Sequence, residues 1–197
     1  MSMIGNLARI SESKRIELHS KPELIERLLY PDFADTAPEE KKGILAKIFG
    51  SKSAPTINVE EKQEGLAEED QIDIDKAWHG LHFLFTGSDW EGPFPQGFLV
   101  SCGKEVGDVD VGYGQAKSFT PKEVKEISTF LNQLDDSELK SRLDPKKMNE
   151  LGIYPSIWND DTNIEAEWEY AKYSLDAMKQ FIKEAAQGDL ALLVYIN

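Results

Sequence analysis

The stretch Asp73–Gly87, DIDKAWHGLHFLFTG, constrains the fold more than any other in the chain. After Lys76 it carries no full charge, although the protein as a whole has a formal net charge of −14. On a helix, Trp78, Leu81, His82 and Phe85 recur at i, i+3, i+4 and i+7 and so share one face. Phe83 and Leu84 fall on other sides. A helix that is apolar nearly all round has to be buried, so the rest of the chain must supply layers to cover it. The sequence therefore predicts a central buried helix at about 73–87, begun by Asp73 or Asp75 and stopped by Gly87.

A chain of 197 residues with 40% hydrophobic residues has enough apolar material for one domain with a real core. Asp and Glu number 36 against 22 Lys and Arg, so the overall field repels phosphate backbones and anionic lipid. Nucleic acid and membrane surfaces are thus poor partners, and a basic protein is a good one. Cys102 is the single cysteine, which leaves no intrachain disulfide and suits a reducing compartment. MSMIGNLARIS lacks the basic start and long apolar run of a secretion signal, and no segment has the roughly 20 apolar residues that span a bilayer. The expected location is the cytoplasm.

Met3–Ile10 reads as an opening strand, followed from Ser11 by a helix carrying Ile16 and Leu18. Ser20, Pro22 and Glu23 have the form of a helix start with a capping box, and Leu24, Ile25, Leu28 and Leu29 form the stripe behind it, ended by Pro31. Lys41–Phe49 fits a short amphipathic helix, and 50–55 a linker. Ser88–Gly97 is a Pro/Gly loop holding Trp90 and Phe94. Phe98–Cys102 suits a short strand, and 106–111 a second one. Thr120, Pro121 and Glu123 give the clearest helix start, with Val124, Ile127, Leu131 and Leu134 as its face. Short helices follow from Asp136 or Ser137 and from Asp144–Pro145, the latter closed by Gly152. A long helix from Asn163 to Gln187 ends at Gly188, and Leu190–Ile196 reads as a strand buried on both faces. The sum is an α+β single domain over 1–197, a small mostly antiparallel sheet surrounded by several helices, with first and last strands paired and a variable acidic insertion at about 32–70.

Four blocks, MIGNLARIS at 3–11, DIDKAWHGLHFLFTG at 73–87, VGYGQAKSFTPKEV at 111–124 and GIYPSIW at 152–158, resemble the YfbM-like proteins, a bacterial family catalogued as a domain of unknown function. The resemblance spans most of the chain except about 32–70. It implies a single α+β domain and no settled activity.

Chemistry-bearing residues are few. His79 and His82, three apart with Asp73 and Asp75 upstream, have a spacing open to metal ligation, but Gly80 and Leu81 stand where a zinc-protease motif needs its glutamate. On the face of Trp78 and Phe85, His82 reads as a core histidine bonded to a carbonyl, and proton transfer is the remaining role for this pair. The glycines at 103, 107, 112 and 114 lack a phosphate-loop lysine and the third glycine of a dinucleotide motif. Asp108, Asp110 and Gly112 fail as a calcium loop because Tyr113 and Phe119 occupy required positions. These glycines are better explained by turns. Cys102 and the serines sit in no nucleophile pattern. No cofactor or metal is implied. Tyr113, His79, Tyr154 and Trp158 are the candidates for one aromatic pocket that binds a small molecule or performs catalysis.

The other candidate surface is acidic. Glu60, Glu61, Glu64, Glu68, Glu69 and Asp70, with Asp89, Trp90 and Glu91 in the loop after the central helix, set carboxylates around an aromatic. That chemistry suits capture of a basic protein, as by an immunity or inhibitor protein, with charge speeding encounter and the aromatic slowing release. The leading expectation is therefore a non-enzymatic binding protein, and the alternative is the aromatic pocket.

Overall fold

The last strand to be made is the middle strand of the sheet. In the computed structural model, which describes residues 2–31, 65–156, 158 and 163–197, β1 (Gly5–Ile10), β2 (Gln71–Asp73), β3 (Lys104–Asp110), β4 (Gln115–Phe119) and β5 (Ala191–Ile196) form one sheet in the order β2-β1-β5-β4-β3. All neighbours run antiparallel. First and last strands pair along their whole length, from Gly5 opposite Ile196 to Ile10 opposite Ala191. β5 is buried on both faces, which its unbroken apolar run requires.

Because side chains alternate along a strand, the sheet divides two cores. On one face Ala8, Ile10, Ala191, Leu193 and Tyr195 meet Leu18 of α1 (Glu12–Ser20) and Ile25 and Leu29 of α2 (Leu24–Leu29). On the other, Leu7, Phe119, Leu192 and Val194 meet α3 (Ala77–Thr86), α4 (Pro121–Asn132) and the long α7 (Ile164–Gln187). The short α5 (Asp136–Ser141) and α6 (Pro145–Glu150) close that second core with Leu139, Leu143 and Met148. The α+β class and the mostly antiparallel sheet predicted from sequence are what the chain adopts.

α3 is the central helix, with Ala77 through Phe85 all buried. It starts later than the sequence suggests. Residues 71–73 instead pair with β1, Ile74 N–H donates to Gly5 C=O (2.8 Å) and Gly5 N–H to Asp75 C=O (3.0 Å), so the sheet edge claims the backbone that the helix would have used. Among the described residues no side chain caps α3. Its end is as expected, with Gly87 left-handed at φ 74° and its N–H on Phe83 C=O. The helix presses so closely on β1 that a Cβ on Gly5 would lie 2.6 Å from Trp78 Cβ.

Other differences have similar causes. Phe98–Cys102 is a series of turns, not a strand: the N–H groups of Val100, Ser101 and Cys102 all reach Gly97 C=O, leaving nothing for a sheet. The strand that pairs with β5 on the side away from β1 is the more polar QAKSF of β4. α2 has no capping box; Glu23 is its N-cap without a side-chain bond, and the Ser20 hydroxyl donates back to Ile16 C=O within α1. Ile16 itself is exposed. By contrast Ser11, Thr120 with Glu123, Asp135, Asp144 and Asn163 cap their helices through side-chain oxygens. The helix at 41–49 and the linker at 50–55 lie outside the described residues.

Candidate functional site

A cavity of about 390 Å³ opens between α3, α6 and α7, within the size range of small-molecule sites. Ala77, Gly80 and Leu84 contribute one side of α3; Leu143 and Met148 come from the α6 side, Ala171 from α7, and Tyr154, Pro155 and Trp158 from the loop after α6. Small residues line both α3 and α7, and helices that meet through Ala and Gly leave space that larger side chains would fill. Asp75, Lys76, Glu167 and Tyr170 form a polar rim. There the Tyr170 hydroxyl donates to Asp75 Oδ2 (2.8 Å) and accepts from Lys76 N–H (3.1 Å). Burial first, and the Asp75 bond second, push the Tyr170 hydroxyl far above its ordinary pKa. Asp75 adopts φ 45°, a conformation that Asp and Asn tolerate best among residues with side chains.

Of the residues singled out from sequence, Tyr154 and Trp158 line this cavity and His79 stands directly behind it. His79 Nδ1 accepts the Tyr154 N–H (2.9 Å). A backbone N–H can only donate, so the ring proton sits on Nε2, which donates to Asp89 C=O (2.8 Å). The ring also stacks on Trp78 at 4.7 Å and 5°, and meets Trp90 at 4.6 Å. Burial lowers the His79 pKa, and protonation would set two donors against each other at Nδ1. This histidine is a neutral, fixed brace between the 88–91 loop and the cavity lip.

His82 is buried as a core histidine is expected to be, with weaker bonding than His79. Its ring is fully buried, and among the described residues no hydrogen bond of normal geometry reaches either nitrogen, the Glu91 backbone being the polar group beside it. His79 makes the well-formed carbonyl bond, and the backbone of Glu91 is the group that His82 faces at poorer geometry. Burial, with His79 nearby as the next cause, pushes the His82 pKa down to about 4. Among the described residues no three His, Cys, Asp or Glu side chains gather as a metal-ligand set.

Tyr113 does not join the pocket. It sits at the β3–β4 turn, half-exposed, with its N–H on Ile196 C=O. The turn around it is held by Asp110, whose Oδ1 accepts from Gly112 and Gly114 N–H, so that carboxylate serves the backbone. Both glycines have φ above 90°, which other residues rarely adopt.

The acidic candidates separate. Glu60, Glu61 and Glu64 lie outside the described residues. Glu68 and Glu69 are exposed on a short 3-10 turn. Asp70 is half-buried and accepts from Arg9 Nε (2.8 Å), which also pairs with Glu184. Asp89 uses its carboxylate to bind its own loop, at Trp90 N–H (2.9 Å) and the Ser88 hydroxyl (3.2 Å). Trp90 is 54% exposed, and Glu91 is exposed beside it. Sequence reading missed Gly80, Met148, Glu167, Tyr170 and Ala171; the one signal for them was the small-residue spacing of Ala77 and Gly80 beside Leu84.

These features define an α+β domain with helices on both faces of an antiparallel sheet and a cavity against its central helix. The chain belongs to the family described as domain of unknown function (DUF1877), whose model matches residues 1–195. Among solved structures it is similar to YfbM from Escherichia coli, a protein of unknown function. That likeness has 20% identity over 98% of this chain and 99% of that one, with a TM-score of 0.60, and concerns the fold. Comparison with curated protein sequences returns no match. No described helix is long and apolar enough to cross a membrane.

Proposed function

We propose that this protein binds a small molecule in the cavity between α3, α6 and α7. The observation that carries the reading is Gly80. Glycine in the middle of a helix destabilises it by roughly 0.5–1 kcal/mol relative to alanine. Here a Cβ would meet only Met148 Cε, at 3.8 Å, so alanine fits without a clash. The glycine gains nothing in packing, and what it leaves is open space in the cavity wall. Small residues on two helices, aromatic rings at the lip and polar groups only at the rim are the composition of a ligand site. The test is a thermal-shift screen of aromatic and aliphatic small molecules on wild type and on Gly80→Leu, which fills the cavity. Compounds that stabilise wild type and leave the variant unmoved support the reading. A folded wild type that no compound stabilises, or compounds that act equally on both proteins, contradict it.

A second reading, as a module that captures a basic protein, is favoured by Trp90. Its loop is held in place by His79 and Asp89, yet the residue is more than half exposed between two acidic residues. An anchored aromatic in an acidic surround suits a basic docking partner. Capture from host lysate should be lost on Trp90→Ala and weakened by salt. Retention that neither change affects contradicts this reading.

A further inference from the structure

The cavity rim has a charge preference, and this part of the reading rests on the cavity being a ligand site. Among the described residues, Asp75 and Glu167 are the acidic residues of the lining and Lys76 its basic one, a balance of one negative charge. Among the described residues none of the three makes an ion pair within the chain. The Tyr170 hydroxyl gives its proton to Asp75 and accepts from Lys76 N–H, so its one remaining capacity at the rim is as an acceptor. Three aromatic residues, Tyr154, Trp158 and Tyr170, share the lining, and aromatic faces attract cations while disfavouring anions. Below them the floor is aliphatic.

We propose that the cavity takes an organic monocation, an ammonium or guanidinium head at the Asp75–Glu167 rim with an apolar body directed toward Gly80 and Met148. The rim neutralises one positive charge, and the floor, which bears no charge, takes the hydrocarbon. An anion of the same shape would face two carboxylates with only Lys76 in its favour.

Calorimetric titration with three probes of matched size separates charge from shape: phenylbutylamine, phenylbutanol and phenylbutyrate. The amine is expected to bind at least about tenfold tighter than the alcohol, and the acid weakest, from charge pairing and cation–π attraction together. Asp75→Asn retains an oxygen for Tyr170 and suits the left-handed backbone, and Glu167→Gln changes a helix surface. Each should lower amine affinity several-fold and alcohol affinity by clearly less. Lys76→Met should raise amine affinity by removing a like charge. Equal binding of all three probes, or preference for the acid, overturns the cation assignment and leaves the small-ligand reading standing. Absence of binding by all three, in protein shown to be folded, overturns both.

Discussion

His79 and His82 lie one helical turn apart with ring centroids at 6.5 Å, and burial treats them differently. His79 has a donor and an acceptor at good geometry; His82 has only the Glu91 backbone, poorly placed, among the described residues. An imidazole buried with so little hydrogen bonding stays neutral when folded but takes a proton when exposed. With a folded pKa near 4 against an ordinary 6.5, the unfolded state binds more protons across that window. Stability is therefore fully present above about pH 6.5 and lost as pH falls toward 4, by on the order of 3 kcal/mol from this residue. Denaturant melts of wild type and His82→Leu across that range test it: the variant should lose less stability on acidification, and parallel curves would refute the assignment. The His79 brace gives a second test. His79→Leu strands the Tyr154 N–H, at a cost of about 2–4 kcal/mol for the lost bonds and the unsatisfied donor together. Urea melts measure that cost, and the fluorescence of Trp90 should shift as its loop is released. At Gly80, alanine should raise stability by about 0.5–1 kcal/mol in the same melts, because the wall has room for a methyl group.

Among the elements, the helix that carries its own instructions is α4. The Thr120 side chain accepts Glu123 N–H while Glu123 reaches back to Thr120, with Pro121 in the first turn. Thr120→Ala should cost about 1 kcal/mol, read as a shifted urea midpoint with an unchanged slope. Such caps are legible in sequence because their chemistry spans four residues; Asp144–Pro145 and Asn163 are further examples. The elements that were misread depend on distant partners. β2 is three residues long and exists because β1 offers it an edge, which also shortens α3 at its start. β4 is more polar than Phe98–Cys102, yet β4 lies beside β5 while the apolar segment spends its N–H groups on Gly97. Tyr154 and Trp158 were legible as cavity residues because they stand together in one loop. Gly80 and Ala171 were not: the space between them arises from the packing of helices far apart in sequence. Tyr113 was misplaced for the same reason, since its glycine-flanked turn reports local bending and not position.

For the whole molecule, the sheet is a wall between two cores, with α1 and α2 on one side and the cavity on the other. The central β5 ties them together, so Leu193→Ala, which hollows the core under α1 and α2, should cost about 2–5 kcal/mol without altering the cavity lining. Ligand binding, corrected for the fraction folded, should survive that change. This separation makes the cavity testable on its own terms. The decisive measurement is a titration of ¹⁵N-labelled protein with phenylbutylamine, followed by nuclear magnetic resonance. The expected result is a saturable shift of the Gly80 and Tyr154 amides and the Trp158 indole, absent in Gly80→Leu. Shifts confined to Trp90 and its loop, or no saturable shift at all, would contradict the cavity as the binding site.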